Sequence, residues 1–349
     1  MIRQGLNFNL VSQVAYRFYK PFSCSKTNYE TVMSNVLSLY PTPAIFDGTP
    51  EIIDWSVETR QLGFLDDDGG IHFSNKVAVI RGDTIDTPNP VILGVHGESY
   101  KPVAPRELLQ TQREIILRSG LNTDGIVERV QTSHQGAATF ITYRLPEHTY
   151  TTPDGDTACL TLLGVTSLNS TFSFIISAGA NQWACMNRQV FVSGSAALFK
   201  ARHTKNLDMK AASRAITKSL EVFQTEQELW AEMYRTQVTA KQAMFVFAEA
   251  AGCLDLVRTI VAECGVSWSA VFDQLPRLNS SLTYLANAWN QYSDKMGRNQ
   301  WAVYNTLTDW STHAPAATQK TQANIASVNH KRQEIVRNVC NSDVFRIAA

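Results

Sequence analysis

Apolar and polar residues alternate with a period of two through much of the first half of the chain, then switch to a three-four spacing in the second. From Ile52 the pattern is strand-like, and residues 77–81 (VAVIR) read as a short buried strand. Two runs, 91–95 and 99–103, flank His96-Gly97-Glu98, which predicts a β-hairpin with Gly97 in its turn. A helix follows. Pro105 suits its first turn, Leu108, Leu109, Gln112, Ile115 and Ile116 share one face, and Ser119-Gly120 closes it. Strands are predicted over 126–132 and 138–145, around His134-Gln135-Gly136. In the second of these, Ile141, Tyr143 and Leu145 face one way and Phe140, Thr142 and Arg144 the other. Pro153-Asp154-Gly155 reads as a turn, and 158–165 with 171–178 as a further strand pair.

After about residue 195 the period changes. Ile216, Leu220, Phe223, Gln227, Trp230 and Tyr234 step by four and three, which predicts an amphipathic helix. Helical spacing continues over 240–251, 254–264, 268–275, 282–292 and 299–312, with Gly252 and Gly265 as C-terminal stops. Pro315 precedes a final polar helix over 318–340, and there is no internal repeat. The fold class expected is α+β: a twisted antiparallel sheet with packed helices, then an all-helical C-terminal region. The expected division is an arm over 1–45, a mixed core over 46–225 and a helical region over 226–349. Leu6, Phe8, Leu10, Val11, Tyr16 and Phe18 of the arm have no evident partner strand, so a homo-oligomer that covers them is expected.

Composition narrows the class. The 349 residues are 44% apolar and 18% charged, enough for a sizeable core. Net charge is zero, so only a local patch speaks for or against a polyanion partner. No apolar run reaches the roughly 18 residues of a membrane span, and the first 22 residues lack the pattern of a signal peptide. A soluble cytoplasmic protein is expected. The six cysteines are scattered with no C-x-x-C pair, which fits free thiols rather than zinc or disulfides. No P-loop, dinucleotide fingerprint, G-x-S-x-G elbow or H-E-x-x-H occurs, so no cofactor, metal or catalytic residue is expected. Asp66-Asp67-Asp68-Gly69-Gly70 lacks EF-hand spacing and reads as a solvated acidic turn. His96 and Glu98 read equally as an acid/base pair or a hairpin tip. Cys185 with His203 evokes a thiolate nucleophile, but nothing in the sequence brings them together.

One segment stands out. Between residues 188 and 218 lie Arg188, Lys200, Arg202, Lys205, Lys210, Arg214 and Lys218, against the single acid Asp208. Lys210, Arg214 and Lys218 recur every four residues and stack on one helix face, where like charges cost roughly 0.2–0.5 kcal/mol per pair. One reading is a solvated face beside acidic neighbours Glu221, Glu226 and Glu228. The other is a track for a phosphate backbone, joined by His203, with Trp183 as a stacking platform for a base or simply as core.

An ordered series then points to a family. Asp54-Trp55-Ser56-Val57-Glu58-Thr59-Arg60, Leu93-Gly94-Val95 with Tyr100-Lys101-Pro102, Cys185-Met186-Asn187, His203-Thr204-Lys205 and Gln300-Trp301-Ala302-Val303-Tyr304-Asn305 together resemble the phage- and plasmid-encoded DUF932 family, over roughly residues 50–315. The chain departs from it after Asn187, with Arg188-Gln189 where members usually carry Thr-Leu. The resemblance implies a mobile-element protein in the bacterial cytoplasm and supplies no activity. Its layout is also similar to the phage single-strand annealing proteins of the Redβ, RecT and Erf group, which pair complementary strands without ATP. Three function classes stay open: a non-enzymatic single-stranded DNA-binding and annealing protein acting in recombination; an interaction protein that binds a host protein, for example as an anti-defence factor; and an enzyme with a site built from unlinked carboxylates.

Overall fold

The computed structural model describes residues 46, 49–68, 70–182, 188–190, 199–201, 211, 214, 217–264 and 279–347. Strands come first. β1 (Val57–Leu65), β2 (Ile71–Arg81) and β3 (Ile92–Gly97) form an antiparallel sheet in that order. The helix predicted next is α1 (Pro105–Arg118), with the proline in its first turn. A second, larger antiparallel sheet runs β4 (Val127–Ser133), β5 (Ala138–Thr151), β6 (Thr157–Ser167), β7 (Phe174–Gln182) and β8 (Arg188–Val190), with β9 (Phe199–Ala201) also pairing β7. β8 meets Gly179–Asn181 of β7 and β9 meets Phe174–Ile176, so the two short strands share one edge.

The helices follow as α2 (Ser219–Arg235), α3 (Ala240–Ala250), α4 (Leu254–Cys264), α5 (Ser280–Met296), α6 (Gln300–His313), α7 (Gln319–Gln322), α8 (Ile325–Cys340) and α9 (Asp343–Ile347). The chain is thus α+β, with antiparallel sheets first and a helical C-terminal region after. Starts are capped as side-chain chemistry dictates. Thr239 and Gln242 form a reciprocal capping box on α3, while Asn279 and Asn299 accept from the first-turn amides of α5 and α6. Gly252, at φ +70°, takes the left-handed conformation just past α3.

Period-two alternation divides the larger sheet into two faces. Ile141, Tyr143 and Leu145 of β5, Leu160 and Leu162 of β6 and Phe174 and Ile176 of β7 point into the main core. That core also takes Leu108, Leu109 and Ile116 of α1, Trp230 of α2, Phe247 of α3 and Trp301, Tyr304 and Leu307 of α6. The opposite face carries Ala138, Phe140, Val165 and Ile175, covered by Phe172 and by Ala326 of α8. There the rings of Phe140, Phe172 and His330 meet edge-on or tilted at centroid distances of 5.0–5.6 Å. Trp55, Val79, Leu93, Ala137 and Leu168 tie the smaller sheet to the larger.

Two expectations are corrected here. The hairpin around His96-Gly97-Glu98 does not form. β3 pairs instead with β2, Val77 opposite His96, and residues 99–104 are not a strand. The Tyr100 hydroxyl donates to the Ser167 carbonyl at 2.9 Å, which turns the chain onto the larger sheet. The buried face of α2 is also rotated from the predicted one: Val222, Phe223, Glu226, Trp230 and Met233 point inward, and Gln227 does not. The acidic turn joins β1 to β2 as expected. The Asp66 carboxylate accepts from the amides of Asp68 and Gly70 and pairs with His72 Nε2 at 2.7 Å, which together hold it below the usual carboxylate range.

Candidate nucleic-acid interface

Of the basic segment, the structure describes Lys200, Arg214 and Lys218 with their side chains, and Arg188 as backbone in β8. Trp183, Arg202, His203, Lys205 and Lys210 lie outside the described residues, as do Cys185 and the helix expected over 268–275. Arg214 and Lys218 are both exposed. The Lys218 amide donates to the Arg214 carbonyl at 3.2 Å, the one-turn bond that sets their side chains four residues apart on a helical path. Lys218 is the N-cap of α2 and makes no side-chain capping bond. Lys218 sits at the positive end of the α2 dipole, where like sign is unfavourable, and Glu221 in the first turn offsets part of it.

The acidic neighbours of the solvated-face reading are only partly in place. Glu221 and Glu228 are exposed, but Glu226 is fully buried. Burial pushes the Arg337 guanidinium down, while Glu334, Tyr304 and Glu226 pull it back up. Glu226 therefore serves the interior, on the α8 side, rather than neutralising the basic face.

Lys200 stands apart from that pair, on β9. It lines an open cleft of about 500 Å³ with His96, Ser99, Tyr100, Ser170, Thr171 and Glu334. Its Nζ lies 3.4 Å from Glu334 Oε1 of α8. His96 does not pair with Glu98. Its ring stacks on Tyr100 at 3.7 Å and 8°, and its Nε2 lies 2.7 Å from the Leu168 carbonyl. A carbonyl only accepts, so Nε2 carries the proton, and Nδ1 faces Ser170 Oγ at 3.2 Å. Burial raises the Tyr100 phenol, which stays a donor to Ser167. Periodicity gave no hint of this cleft, because its lining comes from four separated segments.

Two other polar clusters were invisible in the sequence. Arg113 of α1 and Glu128 of β4 make a bidentate pair at 2.7 and 2.8 Å, 13% and 11% exposed, beneath the Phe46 ring. Asp309 accepts from the Tyr284 hydroxyl at 3.0 Å. Burial lifts its carboxyl above the ordinary range, against the pull of His313 and Tyr284. Neither is placed as catalytic machinery: the first joins a helix to a strand, the second two neighbouring helices. Among the described residues no group of His, Cys, Asp and Glu has the arrangement to hold a metal ion, and no helix is long and apolar enough to cross a membrane. Cys159, Cys253 and Cys340 are free thiols.

No curated protein and no solved structure matches the chain. A family model does: the domain of unknown function DUF932 matches residues 92–333, more than half of the chain, and the chain belongs to that family. The match begins on β3 and ends in α8, so it takes in His96, Lys200, Arg214 and Lys218.

Proposed function

We propose that this chain binds single-stranded nucleic acid without catalysing a reaction, as a strand-annealing protein of a phage or other mobile element acting in DNA recombination. The observation that carries the reading is the pair Arg214 and Lys218, exposed one turn apart, with Lys218 the N-cap of α2 and Arg214 just before it. Two cations at that spacing repel each other, and a phosphate backbone lying along both relieves the repulsion. Trp183, Arg188, Arg202, His203, Lys205 and Lys210 extend the same basic stretch in sequence. The salt dependence of strand binding tests it.

A second reading, an interaction protein that meets a host protein or further copies of itself, has its own support. Beyond the core, β1 and β2 run on as a ribbon. Phe64, Ile71 and Phe73 in it are 63%, 63% and 66% exposed. Exposed apolar area of this kind marks protein contact. Sedimentation of the full chain, with and without oligonucleotide, separates self-association from monomer: a homo-oligomer weakened by Phe73→Ser supports the ribbon as its contact.

A further inference from the structure

The cleft beside Lys200 is lined by neither Arg214 nor Lys218. Among the described residues its charged lining groups are Lys200 and Glu334, one cation and one anion. They meet at 3.4 Å with side chains 53% and 35% exposed, and an ion pair so placed is weak and readily exchanged. Hydroxyls of Ser99, Ser170, Thr171 and Ser173 line the remainder. An ammonium among hydroxyls is the donor set of a phosphate oxygen cage.

The walls are fixed before any ligand arrives. Gly94 lets β3 approach the loop after β6: a Cβ there would stand 2.2 Å from the Leu168 carbonyl and 2.6 Å from His96 Nε2. Ser170 holds a left-handed φ of 60°, and Asn169 Oδ1 accepts from both Ser167 Oγ and the Thr171 amide. The parallel His96–Tyr100 stack gives the cleft a flat wall, pinned by bonds to Leu168 and Ser167. A preformed wall costs little to occupy. At about 500 Å³ the space fits one nucleotide, not a length of strand.

We infer that this cleft holds a phosphate ester, with Lys200 leaving Glu334 for the phosphate and the hydroxyls of Ser99, Thr171 and Ser173 donating to its other oxygens, while the Ser170 hydroxyl stays on His96 Nδ1. That the ester belongs to one nucleotide of a bound strand rests on the proposed strand-binding function; the cleft's affinity for the ester does not.

Calorimetric titration of the full chain with thymidine 5′-monophosphate, inorganic phosphate and a short oligo(dT) tests it, on parent, Lys200→Gln, Glu334→Gln and Arg214→Gln/Lys218→Gln proteins whose thermal melts agree. The parent should bind the monophosphate, and bind it more tightly than inorganic phosphate. Lys200→Gln should weaken that binding about tenfold, the scale of one charge-assisted bond. Glu334→Gln should tighten it about two- to fivefold by freeing the lysine. The Arg214→Gln/Lys218→Gln protein should bind the monophosphate as the parent does. No monophosphate binding, equal binding of inorganic phosphate, or no response to Lys200→Gln overturns the inference. Monophosphate binding with these responses, but no oligo(dT) binding, supports the cleft and sinks the strand-binding reading alone.

Discussion

The indole Nε1–H of Trp301 donates to Asp154 Oδ1 at 2.9 Å across 147 residues of sequence. Asp154 sits in the β5–β6 turn with its side chain 4% exposed, and Lys295 Nζ lies 3.7 Å from its other oxygen. Trp301 itself is fully buried, tilted against Trp230 and stacked on Tyr304. The pair fastens the larger sheet to the C-terminal helices. Asp154→Ala and Trp301→Phe should each cost about 1–3 kcal/mol from the buried bond, with some extra for Trp301 from lost packing. Because both remove one contact, the double variant should lose less than the sum of the singles. Urea unfolding reads this directly, and strictly additive losses would show that the bond contributes nothing.

Gln112 of α1 is fully buried, and its amide lies against Gly164 in the middle of β6. A Cβ at Gly164 would stand 2.3 Å from Gln112 Nε2. Gly164→Ala should therefore destabilise by about 1–3 kcal/mol through overpacking. Gln112→Ala in the same protein should return part of that loss by clearing the space, so the two changes should not add. Denaturant midpoints of the four proteins check it; equal effects of Gly164→Ala in both backgrounds would contradict it.

Asp309 supplies a pH dependence. Burial raises its carboxyl above the unfolded value, more than His313 and the Tyr284 bond lower it. The folded state then holds the proton more tightly than the unfolded one. That contribution is fully present at low pH and is lost as pH rises through the folded value. Asp309→Asn cannot ionise and does not lose it. The stability of Asp309→Asn relative to the parent should rise between pH 3 and pH 7, as followed by chemical denaturation at each pH. A constant difference would mean that the carboxyl is not shifted.

The sequence showed α1 down to its inward face, including Gln112, because a single helix writes its burial into its own spacing. It showed β5 equally well, since Ile141, Tyr143 and Leu145 alternate regardless of which strands flank them. Pairing was legible for β6 with its neighbour β7, but not for β3. Local pattern made residues 91–103 a hairpin, whereas β3 joins β2 and Tyr100 binds Ser167, and no local rule names a partner that far away. The candidate site was half legible. Charge spacing singled out Arg214 and Lys218, and both are exposed. The cleft was not, because Lys200, Glu334, His96 and Ser170 meet only after both sheets and α8 are in place.

Strand binding at Arg214 and Lys218 is tested most directly by a salt titration of oligo(dT) affinity, comparing the parent with Arg214→Gln/Lys218→Gln. Gln is a good helix former, so α2 should persist, and relief of the repulsion should leave the thermal melt equal or slightly higher. Each neutralised phosphate of a single strand releases counterions worth a slope of roughly −0.7 in log affinity against log salt. Parent affinity should fall steeply with salt. The double variant should bind more weakly at low salt for every sequence alike, with a slope flatter by about 1.4, two contacts at 0.7 each. Equal slopes and equal affinities for the two proteins would contradict the account and leave the exposed apolar residues of the β1–β2 ribbon as the better guide to function.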